Sequence, residues 1–558
     1  MKKTVFFLLT LGITATLAAC SGQESGSTPE PAQSQGQPAV EKPRGKLTAA
    51  IYDRGNVPAS EGTATNNRWL RWIKENAPVD PEFIAIPRWE SVQKYNTLFA
   101  SNSAPDLIME YDRAYRNQLY SQKQLLPLDE LIDKHSTEYK ALLEKYPALR
   151  KIGTMPDGKL YEVGLILGNA PGINHQLWIR KDWLDALNLG LPATAEELYK
   201  VAEAFAKQDP DKNGKADTYG INISFVGGMI VDFMFGNVFT IYDKSPWVLD
   251  DSGNLVHDWE RKAASITFKK RLYDNGIVDK DFLTDGKGDR AKQDFINGKL
   301  GMFGSNGSDL SAFRAFKEMN PQGELVALAL PETEFGSFSP VVSAPFSTYG
   351  VVNAKAKDPE AVIRYLDFLH KQTTSNVLRN GFEGEHYTLD DRGCPTDIDA
   401  AKNNTERVYA PDIAALAPLT EQFQQCDAIR NPPAPKNPTP KDEAEYKLQK
   451  EFAQLILSAD KAYVDPERPM AGVIPASFLP SMPQDLQINQ TNGYKAVLDF
   501  LQKSIVSGSS YSVEKAVEDA RNAWKMSNGS KIDEWYEEWY RSNKDTAVLV
   551  KDLYTALK

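Results

Sequence analysis

The chain has 558 residues, enough for two lobes with cores of their own, and 41% of them are apolar and 10% aromatic. Its 64 basic and 75 acidic residues leave a formal charge of −11, with no basic stripe to neutralise phosphates, so nucleic acid is excluded as a partner. Beyond the N-terminal segment no apolar run reaches the length of a membrane span, and the body reads as globular.

The N-terminus reads as a targeting segment, residues 1–19: Lys2 and Lys3 supply charge, and Val5 to Leu17 is almost purely apolar. It is too short for a stable span and ends in Leu17-Ala18-Ala19-Cys20, which resembles the lipobox of bacterial lipoproteins. That resemblance implies cleavage before Cys20, acylation of its thiol and new amino terminus, and anchorage at the extracellular face of the cell membrane. Residues 20–44 are rich in Ser, Gly, Gln, Pro and Glu and hold almost nothing to bury, so they form a flexible tether.

Strand-like runs then alternate with helical ones, the pattern of an α/β protein with largely parallel sheets. Leu47 to Asp53, Glu82 to Ile86 and Asp106 to Glu110 are the first strand candidates, separated by helical faces at Trp69, Trp72 and Ile73 and at Val92, Tyr95 and Phe99. Thr194, with Glu197 three residues on, marks the N-cap of a helix whose inner face carries Leu198, Val201, Ala202 and Phe205. The same spacing recurs at Val362, Tyr365, Leu366 and Leu369, then at Val497, Phe500 and Leu501. It returns at Ile532, Trp535, Tyr536, Trp539 and Tyr540, so the last quarter is mostly helical. Cys394 and Cys426 either form one disulfide in an oxidising compartment or remain two buried thiols.

Several strings resemble the large-ligand branch of the type II periplasmic-binding-protein fold, the extracellular solute-binding lipoproteins of sugar importers. They are Tyr52-Asp53-Arg54-Gly55-Asn56, Ala104-Pro105-Asp106-Leu107 and Asp157-Gly158-Lys159-Leu160-Tyr161, then Leu177 to Leu184, Asn297 to Met302 and Gly381 to Leu389. The resemblance implies two α/β lobes around an interlobe ligand cleft and a helical C-terminal part. Lobe 1 would take residues 45–165 and 345–430, and lobe 2 residues 166–344 and 431–558. It also implies a monomer that hands an oligosaccharide to the permease of an ABC transporter.

Open α/β sheets place ligands beyond the carboxyl ends of their strands, so binding residues are sought in the loops that follow strands. A sugar needs aromatic platforms for its C–H faces and polar side chains for its hydroxyls. Asp53, Arg54 and Asn56 follow the first strand, and Tyr111, Asp112 and Arg113 follow the third. Trp247, in a Pro-containing segment, is the leading stacking platform; Asn306, Tyr349, Glu383, His386 and Tyr387 complete the candidates. Asp209, Asp211, Asn213, Lys215 (through its carbonyl) and Asp217, with Gly214 at the sixth position, copy the first part of an EF-hand loop and point to a structural Ca²⁺. The twelfth position is Gly220, so the bidentate glutamate of an EF-hand is missing.

An enzyme is the rival class. The chain contains neither GxSxG nor HExxH, and its five histidines are scattered, so no catalytic constellation is expected. A peptide-binding receptor of the same fold is the other alternative, because fold does not fix the ligand.

Overall fold

A computed structural model describes residues 44–554, apart from 169–171, 240–244, 308, 436–437, 466–467, 476–477, 481 and 546. The leader 1–19, Cys20 and the tether up to residue 43 lie outside the described residues. In chain order the strands are β1 (Lys46–Asp53), β2 (Asp80–Pro87), β3 (Leu107–Met109), β4 (Glu162–Ile166), β5 (Gly172–Ile173), β6 (His175–Arg180), β7 (Tyr219–Ile221) and β8 (Trp247–Leu249). They continue with β9 (Leu255–His257), β10 (Leu300–Asn306), β11 (Leu325–Ala327), β12 (Val342–Ser343), β13 (Phe346–Val352), β14 (Tyr387–Leu389) and β15 (Pro395–Asp397).

Two sheets carry the fold: a five-stranded one in the order β2-β1-β3-β13-β4 and a four-stranded one in the order β11-β6-β10-β7. In the first sheet β2, β1 and β3 run parallel, whereas β13 is antiparallel to both β3 and β4. In the second, β7 and β10 are parallel and β6 is antiparallel to β10 and β11. The expectation of largely parallel sheets is corrected here. β13 joins the first sheet only after the chain has built the second, so its direction follows from the path of the chain and not from local composition.

Helices cover the sheets where the apolar spacing places them. Trp69, Leu70 and Ile73 are the buried face of the helix Arg68–Asn76, with Asn67 as its N-cap. Thr194 Oγ1 accepts the Glu197 amide at 3.2 Å and caps the helix Ala195–Lys207, which buries Leu198, Val201, Ala202 and Phe205. Close backbone approach decides one packing: a Cβ on Gly304 of β10 would fall 2.5 Å from Gly227 Cα, so the helix Phe225–Met234 sits directly on the strand.

From residue 440 onward the chain is mostly helical. Pro440–Tyr463, with a Thr439/Asp442 capping box, brings Phe452 edge-on to Trp178 in the cluster that also holds Phe295 and Phe303. The helices Gln484–Val506, Val513–Met526 and Gly529–Ser542 pack together, and Trp524 stacks on Tyr494 at 4.9 Å. Cys394 and Cys426 form a disulfide. Two α/β sheets with a helical C-terminal part give the two-lobed type II periplasmic-binding-protein architecture. No helix among the described residues is long and apolar enough to cross a membrane.

Candidate ligand-binding site

β1 and β3 end side by side, and the residues that leave them form a bonded rim. Tyr52 O–H donates to Glu110 Oε1 at 2.8 Å and accepts the Tyr111 amide at 3.2 Å, while the Asp112 amide donates to the same Glu110 oxygen. The Tyr52 and Tyr111 rings stack at 5.2 Å, and Tyr349 of β13 meets Tyr111 edge-on at 4.6 Å. Burial is the main reason that the Tyr111 phenol is pushed up to about 12, so it stays a neutral donor over the physiological range.

A cation layer covers this tyrosine group. The Arg88 guanidinium lies 4.9 Å from the centroids of both Tyr52 and Tyr111 and 5.2 Å from that of Trp89. The Arg54 guanidinium lies 5.5 Å from the Trp89 centroid and forms a 2.7 Å ion pair with Asp412. That bond, the largest influence on Arg54, holds its pKa above the usual value. Trp89 is 78% exposed, an unusual state for the largest apolar side chain. Beneath Tyr111 and Tyr349 opens a cavity of about 290 Å³ whose walls include Arg379, Arg407 and Leu167.

Of the residues singled out in the sequence, the structure brings Arg54, Tyr111 and Tyr349 together here. Asp53 is half-buried and closes a turn by accepting the Gly55 amide at 2.8 Å; Asn56 donates to the Val408 carbonyl at 3.3 Å. Asp112 caps the helix Arg113–Ser121, and Arg113 turns inward, donating to the Ile152 carbonyl and lying over Phe478. Asn306 is exposed at the end of β10.

Trp247 is a correction. It is 1% exposed, packs 4.1 Å from Tyr536 and donates to Asp533 Oδ1, so it offers no free face. Asp533 also meets His257 and accepts the Trp524 indole N–H, tying β8 and β9 to the C-terminal helices.

His386 and Tyr387 are corrected likewise. The fully buried His386 ring accepts the Phe382 amide at Nδ1 and places Nε2 3.0 Å from Glu406 Oε2, pinning its loop beside Trp69. Tyr387 is buried edge-on to Phe423, and only Glu383 of this group is exposed. Glu385, His386 and Glu406 are close enough to hold an ion. Arg68 and Lys402 already reach both carboxylates, which makes the group an ion-pair network.

Sequence reasoning missed Arg88, Trp89, Arg379, Arg407 and Asp412. Arg88 and Trp89 had a signal: they directly follow β2, where the strand-end rule places ligand groups.

The acidic loop 209–217 has the form of a cation turn. Asp209 receives the Asn213 and Gly214 amides at 3.1 and 3.0 Å, and Asn213 Nδ2 lies 2.8 Å from Asp211 and 3.1 Å from Asp217. Burial, then hydrogen bonding to Asp209 and repulsion from Asp209 and Asp217, raises the Asp211 pKa, the crowding that a divalent cation relieves. The donor set fits Ca²⁺ once the Asn213 amide turns its oxygen inward.

Comparison with known proteins follows the same lines. The fructooligosaccharide ABC transporter substrate-binding protein FusA of Streptococcus pneumoniae is 28% identical over 289 residues, covering 49% of this chain and 52% of FusA. The match therefore spans about half the length of that relative. A solved structure described as an HMO-binding, ABC-transporter-associated solute-binding protein of Bifidobacterium longum infantis aligns with a TM-score of 0.63 at 16% identity, covering 90% of this chain and 99% of that one. The structure of a FusA EF-hand mutant with fructo-nystose aligns at 0.55 and 18% identity, covering 89% and 100%. The family model for bacterial extracellular solute-binding proteins matches residues 64–371, more than half of the chain. The chain is thus a member of the bacterial extracellular solute-binding protein family.

Proposed function

We propose that this protein is the lipid-anchored receptor of an ABC importer and that it captures an oligosaccharide between its lobes. The observation that carries this reading is the rim of Tyr52, Tyr111 and Tyr349 with the exposed Trp89, set at the strand ends where such folds hold ligands. The exposed Trp89 and the half-buried Tyr111 and Tyr349 offer flat faces that suit sugar C–H groups, and the neighbouring arginines suit hydroxyls or acidic groups.

In this reading lobe 1 comprises residues 45–165 and 345–430, and lobe 2 comprises 166–344 and 431–558. Arg54, Trp89, Tyr111 and Tyr349 act from lobe 1 and Asn306 from lobe 2. Ligand contacts both lobes only when they close, which shifts the population toward the closed form that docks on a permease. Asp209, Asp211, Asn213, Lys215 and Asp217 hold a Ca²⁺ that braces their loop, a role supported by the FusA relative whose structure is described as an EF-hand mutant. Cys20 carries the lipid.

Thermal unfolding against a panel of oligosaccharides, with short peptides as controls, tests this reading. A saturable rise in Tm with one saccharide class is expected; a rise with peptides alone would replace the sugar by a peptide.

A further inference from the structure

The cavity beneath Tyr111 and Tyr349 holds two guanidinium groups and no carboxylate among its walls, which are otherwise Leu167, Ala414 and similar apolar groups. Arg379 is half-buried, and its Nε and Nη2 both donate to one neutral acceptor, the Ala417 carbonyl, at 2.8 and 2.5 Å. Among the described residues no carboxylate forms an ion pair with it. Arg407 donates to the Arg379 carbonyl through Nη2, its Nε is buried with no hydrogen-bond partner, and Asp397 stands 3.9 Å from Nη1. Burial lowers the pKa of both groups.

Arg88, over Tyr111, likewise has a buried Nε without a hydrogen-bond partner and forms no ion pair among the described residues. Arg54 is balanced by Asp412. A chain with a formal charge of −11 thus places two arginines on one tyrosine-lined recess and a third against its Tyr111, with Asp397, at the edge of ion-pair range from Arg407, as their one carboxylate partner among the described residues. Desolvated cations of this kind are costly unless an anion joins them, and the guanidinium fork matches a planar carboxylate.

We propose that the captured oligosaccharide is acidic, and that Arg379 and Arg407 receive the carboxylate of a uronic acid residue. This rests on the oligosaccharide reading given above and names the class of sugar within it. Tyr111 and Tyr349 then flank the ring that bears the carboxylate.

The test is calorimetric titration of the full chain with oligogalacturonides and with mannuronate and guluronate oligomers. The same sugars with methyl-esterified carboxyls and neutral fructo- and xylo-oligosaccharides are run in parallel. At least one oligouronide is expected to bind saturably, at least tenfold tighter than its ester, with affinity falling as salt rises. Arg379→Gln is expected to remove at least tenfold of that affinity, and the ester comparison needs no variant should Arg379→Gln fold poorly. Saturable binding of a neutral oligosaccharide with no preference for any uronide overturns the acidic ligand and leaves the receptor reading standing. If no saccharide of either kind binds, both fall together.

Discussion

Two tryptophans set the contrast between binding and scaffold at the scale of single residues. Trp89 is exposed beside Arg54 and Arg88, whereas Trp247 is enclosed by Tyr536 and Asp533. Trp89→Ala is expected to weaken oligosaccharide affinity about tenfold or more, ~1.4 kcal/mol, with Tm unchanged within a degree or so. Trp247→Ala leaves a cavity and removes one of the donors to Asp533, so it lowers stability by about 3–5 kcal/mol, read in a denaturant melt. His175 gives a pH signature. Burial lowers its pKa to about 4, against about 6.5 in the unfolded chain. Between those values the unfolded state binds more protons, so stability falls as pH drops through the window. The Tm of the protein should therefore fall more steeply from pH 6.5 to 4 than that of His175→Gln. Sequence marked Arg54 and Tyr111 by their place after strands, and Tyr349 by its place near the expected return to the first lobe. It misjudged Trp247, because its burial comes from a helix 286 residues further along the chain.

Single elements were legible wherever their signal is local. The Thr194 cap, the apolar stripe Leu198, Val201, Ala202 and Phe205, and the first strands follow from spacing alone. The antiparallel entry of β13 did not, since pairing is decided between segments far apart in the chain. The loop 209–217 makes an element-scale prediction. A chelator selective for Ca²⁺ should lower Tm, and Asp211→Asn should abolish that response while leaving the fold, read by circular dichroism, intact. The Cys394–Cys426 bond closes a separation of 32 residues. Its removal by Cys394→Ser with Cys426→Ser should cost roughly 3–4 kcal/mol of stability, measured by denaturant melts.

For the whole molecule, two mixed sheets and a C-terminal helical block place a rim of aromatic and cationic groups at the strand ends of the first sheet. Sequence foresaw the α/β class and the helical last quarter. It could not foresee which strand ends converge, because Arg379, Arg407 and Asp412 reach the rim from helices and loops with no periodic mark of function. The measurement that tests the account most directly is calorimetric titration of the protein with the oligosaccharide that most stabilises it, followed by mass analysis of the recovered sugar. One intact saccharide bound per chain, with affinity lost in Trp89→Ala, is the predicted result; absence of saturable binding, or recovery of a shortened sugar, would contradict it.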